Sequence, residues 1–178
     1  MKENFFIMDS DGVCIYVTIG INADLPAKLI LGSLNLILLG VIVLAVSKGV
    51  VALMIFSTLC AILLIRFSFW NIYGKEHLVI NTKTMMYQHD YGFFRTNPKL
   101  KFFQKGLSVI GKEATKAGSN AQILMIFQTY NHYDLPEDVY QTALPIAKRN
   151  ADLLIKAINS LFIEKITEDY SLPPIFMN

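Results

Sequence analysis

Charge is the first thing this sequence is short of. Only 17% of its 178 residues are Asp, Glu, Lys or Arg, against roughly 25% in an ordinary soluble domain. With a mean hydropathy of +0.43, that deficit excludes intrinsic disorder and argues against a conventional soluble enzyme. Cysteine is scarcer still. Cys14 and Cys60 are the only two, which excludes a disulfide scaffold and an all-cysteine zinc site. The three histidines, His77, His89 and His132, lie apart, none at metal-ligand spacing from another His or Cys, so no metal is expected. There is no Gly-rich phosphate loop and no nucleophile elbow. His89-Asp90 and His132-Tyr133-Asp134 put an acid next to or near a base, and they read as polar residues ending strands and turning loops. No catalytic residue and no cofactor is assigned, and the chain is not expected to be an enzyme. A net charge of +2 calls for no duplex nucleic acid partner.

What the sequence has instead is two long apolar runs. From Leu29 to Val46 the only polar residues are Ser33 and Asn35; after Ser47-Lys48-Gly49, Val50 to Phe69 follows with Ser57, Thr58, Ser68 and, near its end, Arg66. About 20 apolar residues at 1.5 Å rise cross a roughly 30 Å hydrocarbon core. A buried hairpin in a soluble core is the alternative, but too little protein remains to cover two such runs. A cleaved signal peptide is not expected, because four acids precede the first run and the second follows at once. Lys2, Lys28, Arg66 and Lys75 flank one side of the hairpin and only Lys48 the other. The cation excess predicts a multi-pass membrane protein with both termini cytoplasmic. Trp70 and Tyr73 serve as interfacial anchors.

Within the first run, Gly32, Leu36 and Gly40 recur every four residues, with Asn35 beside them. Small residues let helices approach, and an Asn in hydrocarbon seeks a polar partner. Two readings stay open. Either the helices of one chain pack there, Asn35 meeting Ser57 or Thr58, or Gly32, Asn35 and Gly40 mediate a homo-oligomer.

The expected organisation is an N-terminal hairpin over 1–24, two membrane helices over 25–70, a cytoplasmic domain over 71–170 and a tail over 171–178. The fold class is α+β: a transmembrane hairpin, then an antiparallel sheet or small barrel closed by a C-terminal amphipathic helix. Short strands are expected at Phe5–Met8, Val13–Ile19, Glu76–Ile80, Thr84–His89, Phe93–Thr96, Leu100–Gln104, Leu107–Ile110 and Ala121–Tyr130. Leu135-Pro136-Glu137-Asp138 reads as a helix N-terminus, with Pro145 kinking or restarting that helix. Beyond it Ile146, Asn150, Leu154, Ala157, Ile158, Leu161 and Phe162 share one face.

Charge is polarised along the domain. Lys75 to Gly118 holds eight bases against three acids, and Ser119 to Asn178 four bases against seven acids. The basic half interleaves cations with aromatics. Arg95, Lys99, Lys101, Lys105, Lys112 and Lys116 are candidate phosphate contacts, and His89, Tyr91, Asn131, His132 and Tyr133 candidate base contacts. The bland reading is a solvated charged face over core aromatics. The other readings are a soluble anionic ligand or anionic lipid headgroups at the inner leaflet.

The stretch Trp70-Asn71-Ile72-Tyr73-Gly74-Lys75-Glu76 after two apolar helices resembles bacterial two-helix membrane proteins with a pleckstrin-homology-like domain. In that family a Trp-x-x-x-Gly-x-Glu segment joins the second membrane helix to the first strand. The layout is also similar to membrane effectors of type III CRISPR defence. That resemblance implies a cyclic oligoadenylate bound by the cytoplasmic domain, oligomerisation, and altered membrane integrity in antiviral defence. The alternative is a membrane-anchored lipid- or protein-binding adaptor, or an immunity protein.

Overall fold

A computed structural model describes residues 4–103, 106–114 and 121–169 of the chain. Strand β1 (Phe5–Ser10) turns through Gly12, at φ +83°, into β2 (Ile15–Gly20). The chain then leaves the sheet for helix α1 (Leu25–Ser47) and helix α2 (Val51–Tyr73), and returns as β3 (Lys75–Ile80). β3 pairs antiparallel with β2 in an unbroken register from Ile15↔Ile80 to Gly20↔Lys75. The helical hairpin is therefore an insertion between two neighbouring strands. β4 (Thr84–Asp90) and β5 (Lys99–Phe102) complete a five-stranded meander in the order β1-β2-β3-β4-β5, so residues 5–20 belong to the same sheet as residues 75–102.

The second sheet holds β6 (Ser108–Glu113), β7 (Gln122–Tyr130) and β8 (Pro136–Gln141), with the short β9 (Ile146–Ala147) on β7. Helix α3 (Lys148–Asp169) follows. Period-2 alternation turns Ile15, Val17 and Ile19 of β2, Leu78 and Ile80 of β3, and Met125 and Phe127 of β7 inward. Ala151, Leu154, Ile158 and Leu161 line one face of α3, and all these residues form one buried cluster. No described ladder joins β5 to β6, so the sheets do not close into a barrel.

Two expectations are corrected. Leu135–Asp138 does not start a helix, because Pro136 opens β8, which pairs with β7. Pro needs no donor at a strand's first residue, and Val139 and Tyr140 suit a pleated surface. The expected strand Phe93–Thr96 is instead a turn, bridged to β4 at Asp90↔Arg95 and held by the Tyr91 N–H on the Phe94 carbonyl and the Thr96 N–H on the His89 carbonyl.

Helices α1 and α2 are 23 residues each, with mean hydropathy 2.7 and 2.2, and only 6% and 11% of their most apolar windows is buried. They are long and apolar enough to cross a membrane, and their apolar surface is almost all uncovered by the rest of the chain. They touch through polar atoms as well as apolar ones. Asn35 Nδ2 donates to Ser68 Oγ at 2.8 Å and to the Leu31 carbonyl at 2.7 Å. The Asn35 partner is thus Ser68 of its own chain, not Ser57 or Thr58, whose hydroxyls bond back to carbonyls of their own helix.

Candidate functional site

The seven-residue stretch from Trp70 to Glu76 is where the helices meet the sheets. Gly74 is the whole connection between α2 and β3. Its N–H donates to the Trp70 carbonyl at 2.9 Å, and its own carbonyl accepts from Ile21 N–H at 2.9 Å. A Cβ at Gly74 would stand 2.3 Å from the Trp70 carbonyl oxygen and 3.0 Å from the indole, so glycine is required by space rather than by φ. The Trp70 ring lies against His89 (5.5 Å between centroids) and Tyr91 (5.0 Å).

Glu76 falls on the inner face of β3 with Leu78 and Ile80, and it is fully buried. It reaches the second sheet. Tyr140 of β8 donates its hydroxyl to Glu76 Oε1 in a short hydrogen bond. The Ala143 N–H donates to Oε2 at 3.1 Å and the Leu144 N–H to Oε2 at 3.2 Å. With its proton given to Glu76, the Tyr140 oxygen accepts from His89 Nε2 at 3.1 Å, an arrangement that assigns His89 as the neutral Nε2–H tautomer. Tyr87 stacks on Tyr140 at 4.0 Å. A chain of contacts thus runs from α2 through Trp70, His89 and Tyr140 to Glu76 and the β8–β9 connection.

The opposite face of the sheet carries a second polar group. Asp90 accepts from Gly92 N–H at 2.7 Å and from Arg95 Nε at 2.8 Å, and His77 Nε2 stands 3.8 Å from it. His77 Nδ1 meets Thr18 Oγ1 at 3.0 Å. Burial alone would raise the Asp90 carboxyl, but the Gly92 and Arg95 donors outweigh it and hold the group below its usual range. Burial pushes both His77 and His89 down, favouring neutral rings.

Burial pushes Glu76 up, although Tyr140, Leu144 and Ala143 all favour its carboxylate. With the folded value above the ordinary 4.5, the Glu76 proton stabilises the fold fully below that pH. The contribution is lost as pH rises through the folded value. Wild type should therefore lose stability relative to Glu76→Gln as pH climbs from 4.5, measured by denaturant unfolding at successive pH values. The histidine contributions have the opposite sign, being lost as pH falls below 6.5. They are common to both proteins and cancel in the difference. A difference that does not change with pH would overturn the assignment.

Among the described residues, the candidates for an anionic ligand are divided: His89, Tyr91, Arg95, Lys99 and Lys101 lie along β4, β5 and the turn between them, and the others lie elsewhere. Arg95 is tied to Asp90, with its side chain 65% exposed. Lys99 and Lys101 are exposed on edge strand β5, opposite Tyr87 and Met85. Lys112 lies in the other sheet, on β6 opposite Leu124. Asn131, His132 and Tyr133 form the β7–β8 turn, where Asn131 Oδ1 is taken by the N–H groups of Tyr133 and Leu135. From Leu124 to Asn131 along β7 is about 20 Å at strand rise. His89 is engaged by Tyr140, and Tyr91 stacks on Phe94 at 4.5 Å. Lys105 and Lys116 lie outside the described residues. A groove of about 460 Å³ between the second sheet and α3, lined by Leu107, Tyr130, Phe162 and Ile163 among others, includes none of these candidates. In the helices, added Cβ atoms at Gly32 and Gly40 would meet nothing within 4 Å, although Gly32 borders a cavity it shares with Asn35, Ile65 and Ser68. Among the described residues, no three His, Cys, Asp or Glu side chains come together as a metal site.

Glu76 as a buried tie was not singled out from sequence by its chemistry, since Tyr140 is 64 positions away. The available signal is alternation, which sets an acid two residues before Leu78 and four before Ile80, on the face those residues bury. The chain matches no known family and no curated protein.

Proposed function

We propose that this chain is a membrane-anchored binding module, in which the α1–α2 hairpin spans a bilayer and the two-sheet domain serves as an adaptor on one side of it. The observation that carries the reading is the insertion of the exposed apolar hairpin between paired strands β2 and β3. An anchor tethered by a linker would leave its domain free to reorient. Here both helix ends are held by the sheet, through Ile21 to Gly74 and through Trp70 against His89 and Tyr91. Whatever binds the domain acts on a unit continuous with the helices. The cation asymmetry supports a cytoplasmic domain, and the resemblance to bacterial two-helix pleckstrin-like proteins supports a bacterial inner membrane and an adaptor role by analogy only.

The two native cysteines test the topology. Cys14 lies beside the β1–β2 turn and Cys60 within α2. A membrane-impermeant maleimide should label Cys14 in inverted vesicles but not in intact cells, leave Cys60 unmodified until detergent is added, and label a Lys48→Cys variant from outside. Labelling of Cys60 without detergent, or release of the protein by alkaline carbonate, would overturn the membrane reading.

Lys99 and Lys101, both exposed on one face of β5, favour a second reading: an oligomerising effector gated by an anionic ligand such as a cyclic oligoadenylate. It predicts a higher melting temperature and a defined larger oligomer of the full-length protein with cyclic tetra- or hexa-adenylate. No response to either nucleotide would remove it.

A further inference from the structure

We propose that the β4–β5 turn, Tyr91 to Arg95, forms with Arg66 a binding site for the phosphate of an anionic phospholipid. The inference rests on the membrane reading above and names the partner that this surface meets.

The turn is packed on the last turns of α2. Phe93 meets Phe69 edge-on at 4.4 Å, and Tyr91 lies 5.0 Å from Trp70. Gly92, at φ +90°, passes so close to Tyr73 that an added Cβ would stand 2.9 Å from that residue's own Cβ. The turn is therefore fixed at the level where the apolar helix ends. Arg66 sets that level from the helix side. Its guanidinium lies 5.3 Å above the Tyr91 ring, and Nη2 is 3.5 Å from the Tyr91 hydroxyl. Such a stacked guanidinium keeps most of its N–H donors for another acceptor.

On this platform Phe93 is 60% exposed and Tyr73 53% exposed, next to the uncovered surface of α2. With Tyr73 and the bare face of α2, Phe93 makes a continuous apolar patch that water does not favour. Acyl chains cover such a patch. Arg95 follows two residues on. Asp90 takes only its Nε–H, while the side chain is 65% exposed. Asp90 thus orients the guanidinium instead of capping it. An aromatic that dips, two outward cations and a rigid turn at the helix end suit a lipid phosphate under its glycerol. A soluble anion would use the arginines but not Phe93.

The test uses full-length protein in nanodiscs and its single tryptophan, Trp70, which contacts the turn directly. Brominated phosphatidylglycerol or brominated phosphatidylcholine is mixed into an otherwise unlabelled bilayer and Trp70 quenching is compared. The glycerol lipid should quench preferentially. Arg95→Gln or Arg66→Gln should each cut that preference about five-fold, the worth of one cation near an anionic surface, with unchanged quenching by the choline lipid and unchanged circular dichroism. Arg95→Lys should restore most of it. Equal quenching by both lipids would overturn the inference while leaving the membrane reading standing. No quenching by either would overturn both. A preference that survives both arginine variants would move the site elsewhere. Loss of the preference on adding soluble glycerol phosphate would show a free-phosphate site instead of a lipid one.

Discussion

Replacing Glu76 by alanine should lower the stability of the domain by about 3–5 kcal/mol. The carboxylate is the common acceptor for the Tyr140 hydroxyl and for the Ala143 and Leu144 N–H groups. Alanine leaves these donors facing an emptied space. Each buried donor without a partner costs about 1–3 kcal/mol, partly relieved if water enters. A typical domain has roughly 5–15 kcal/mol in total, so the variant should melt more than about 10 °C lower. Glu76→Gln should lose much less, since one oxygen still accepts and only one donor meets the new amide NH2. Tyr140→Phe should fall between them, removing one bond and freeing His89. Thermal unfolding in detergent, followed by circular dichroism, separates the three. An alanine variant within about 1 kcal/mol of wild type would show that the two sheets are held together by their apolar cluster alone.

Gly74→Ala should be nearly as damaging, for a different reason. The added Cβ would stand 2.3 Å from the Trp70 carbonyl oxygen, which is backbone and already bonded to Gly74 N–H. Relief requires unwinding the last turn of α2 or displacing β3 from β2. Overpacking typically costs about 1–3 kcal/mol, more where backbone must move. The indole should leave its seat against His89 and Tyr91, so a red-shifted Trp70 emission is the direct readout. Gly32→Ala and Gly40→Ala are the matched controls, because nothing lies within 4 Å of either position. They should leave emission and melting unchanged. If those two weaken self-association in a bilayer, contact between copies is the cause, as the oligomer reading requires. Normal emission and stability in Gly74→Ala would mean that the helix-to-strand connection is softer than its geometry implies.

The parts of this molecule that are legible in the sequence are those set by local pattern. Two uninterrupted apolar runs yield α1 and α2 with ends within a few residues, and alternation marks β2, β3, β4 and β7. What was not legible depends on distant partners. Pro136 with two acids behind it is a fair local image of a helix start, yet pairing with β7 outweighs it. Of the two readings open for Asn35, the intrachain one names Ser57 or Thr58, and Asn35 instead meets Ser68, because the crossing of α1 and α2 decides which turn faces it. The Trp70 to Glu76 stretch was visible only as a resemblance. Its physical sense needs His89, Tyr140 and the β8–β9 connection in place. The charge imbalance was read as a patch, but sequence charge carries no direction. Lys99 and Lys101 lie in one sheet and Lys112 in the other, and Arg95 is tied to Asp90.

The pairing of Gly20 with Lys75 has a consequence for synthesis. β1 and β2 leave the ribosome before β3, and the strand that pairs with the open edge of β2 follows only after residues 21–74. At about 5–20 residues per second, the open hydrogen-bonding edge of β2 waits roughly 3–10 s for its partner strand. Gly20 and Lys75 stand side by side only once α1 and α2 have formed and packed antiparallel, so closure of the first sheet is coupled to the pairing of the two helices.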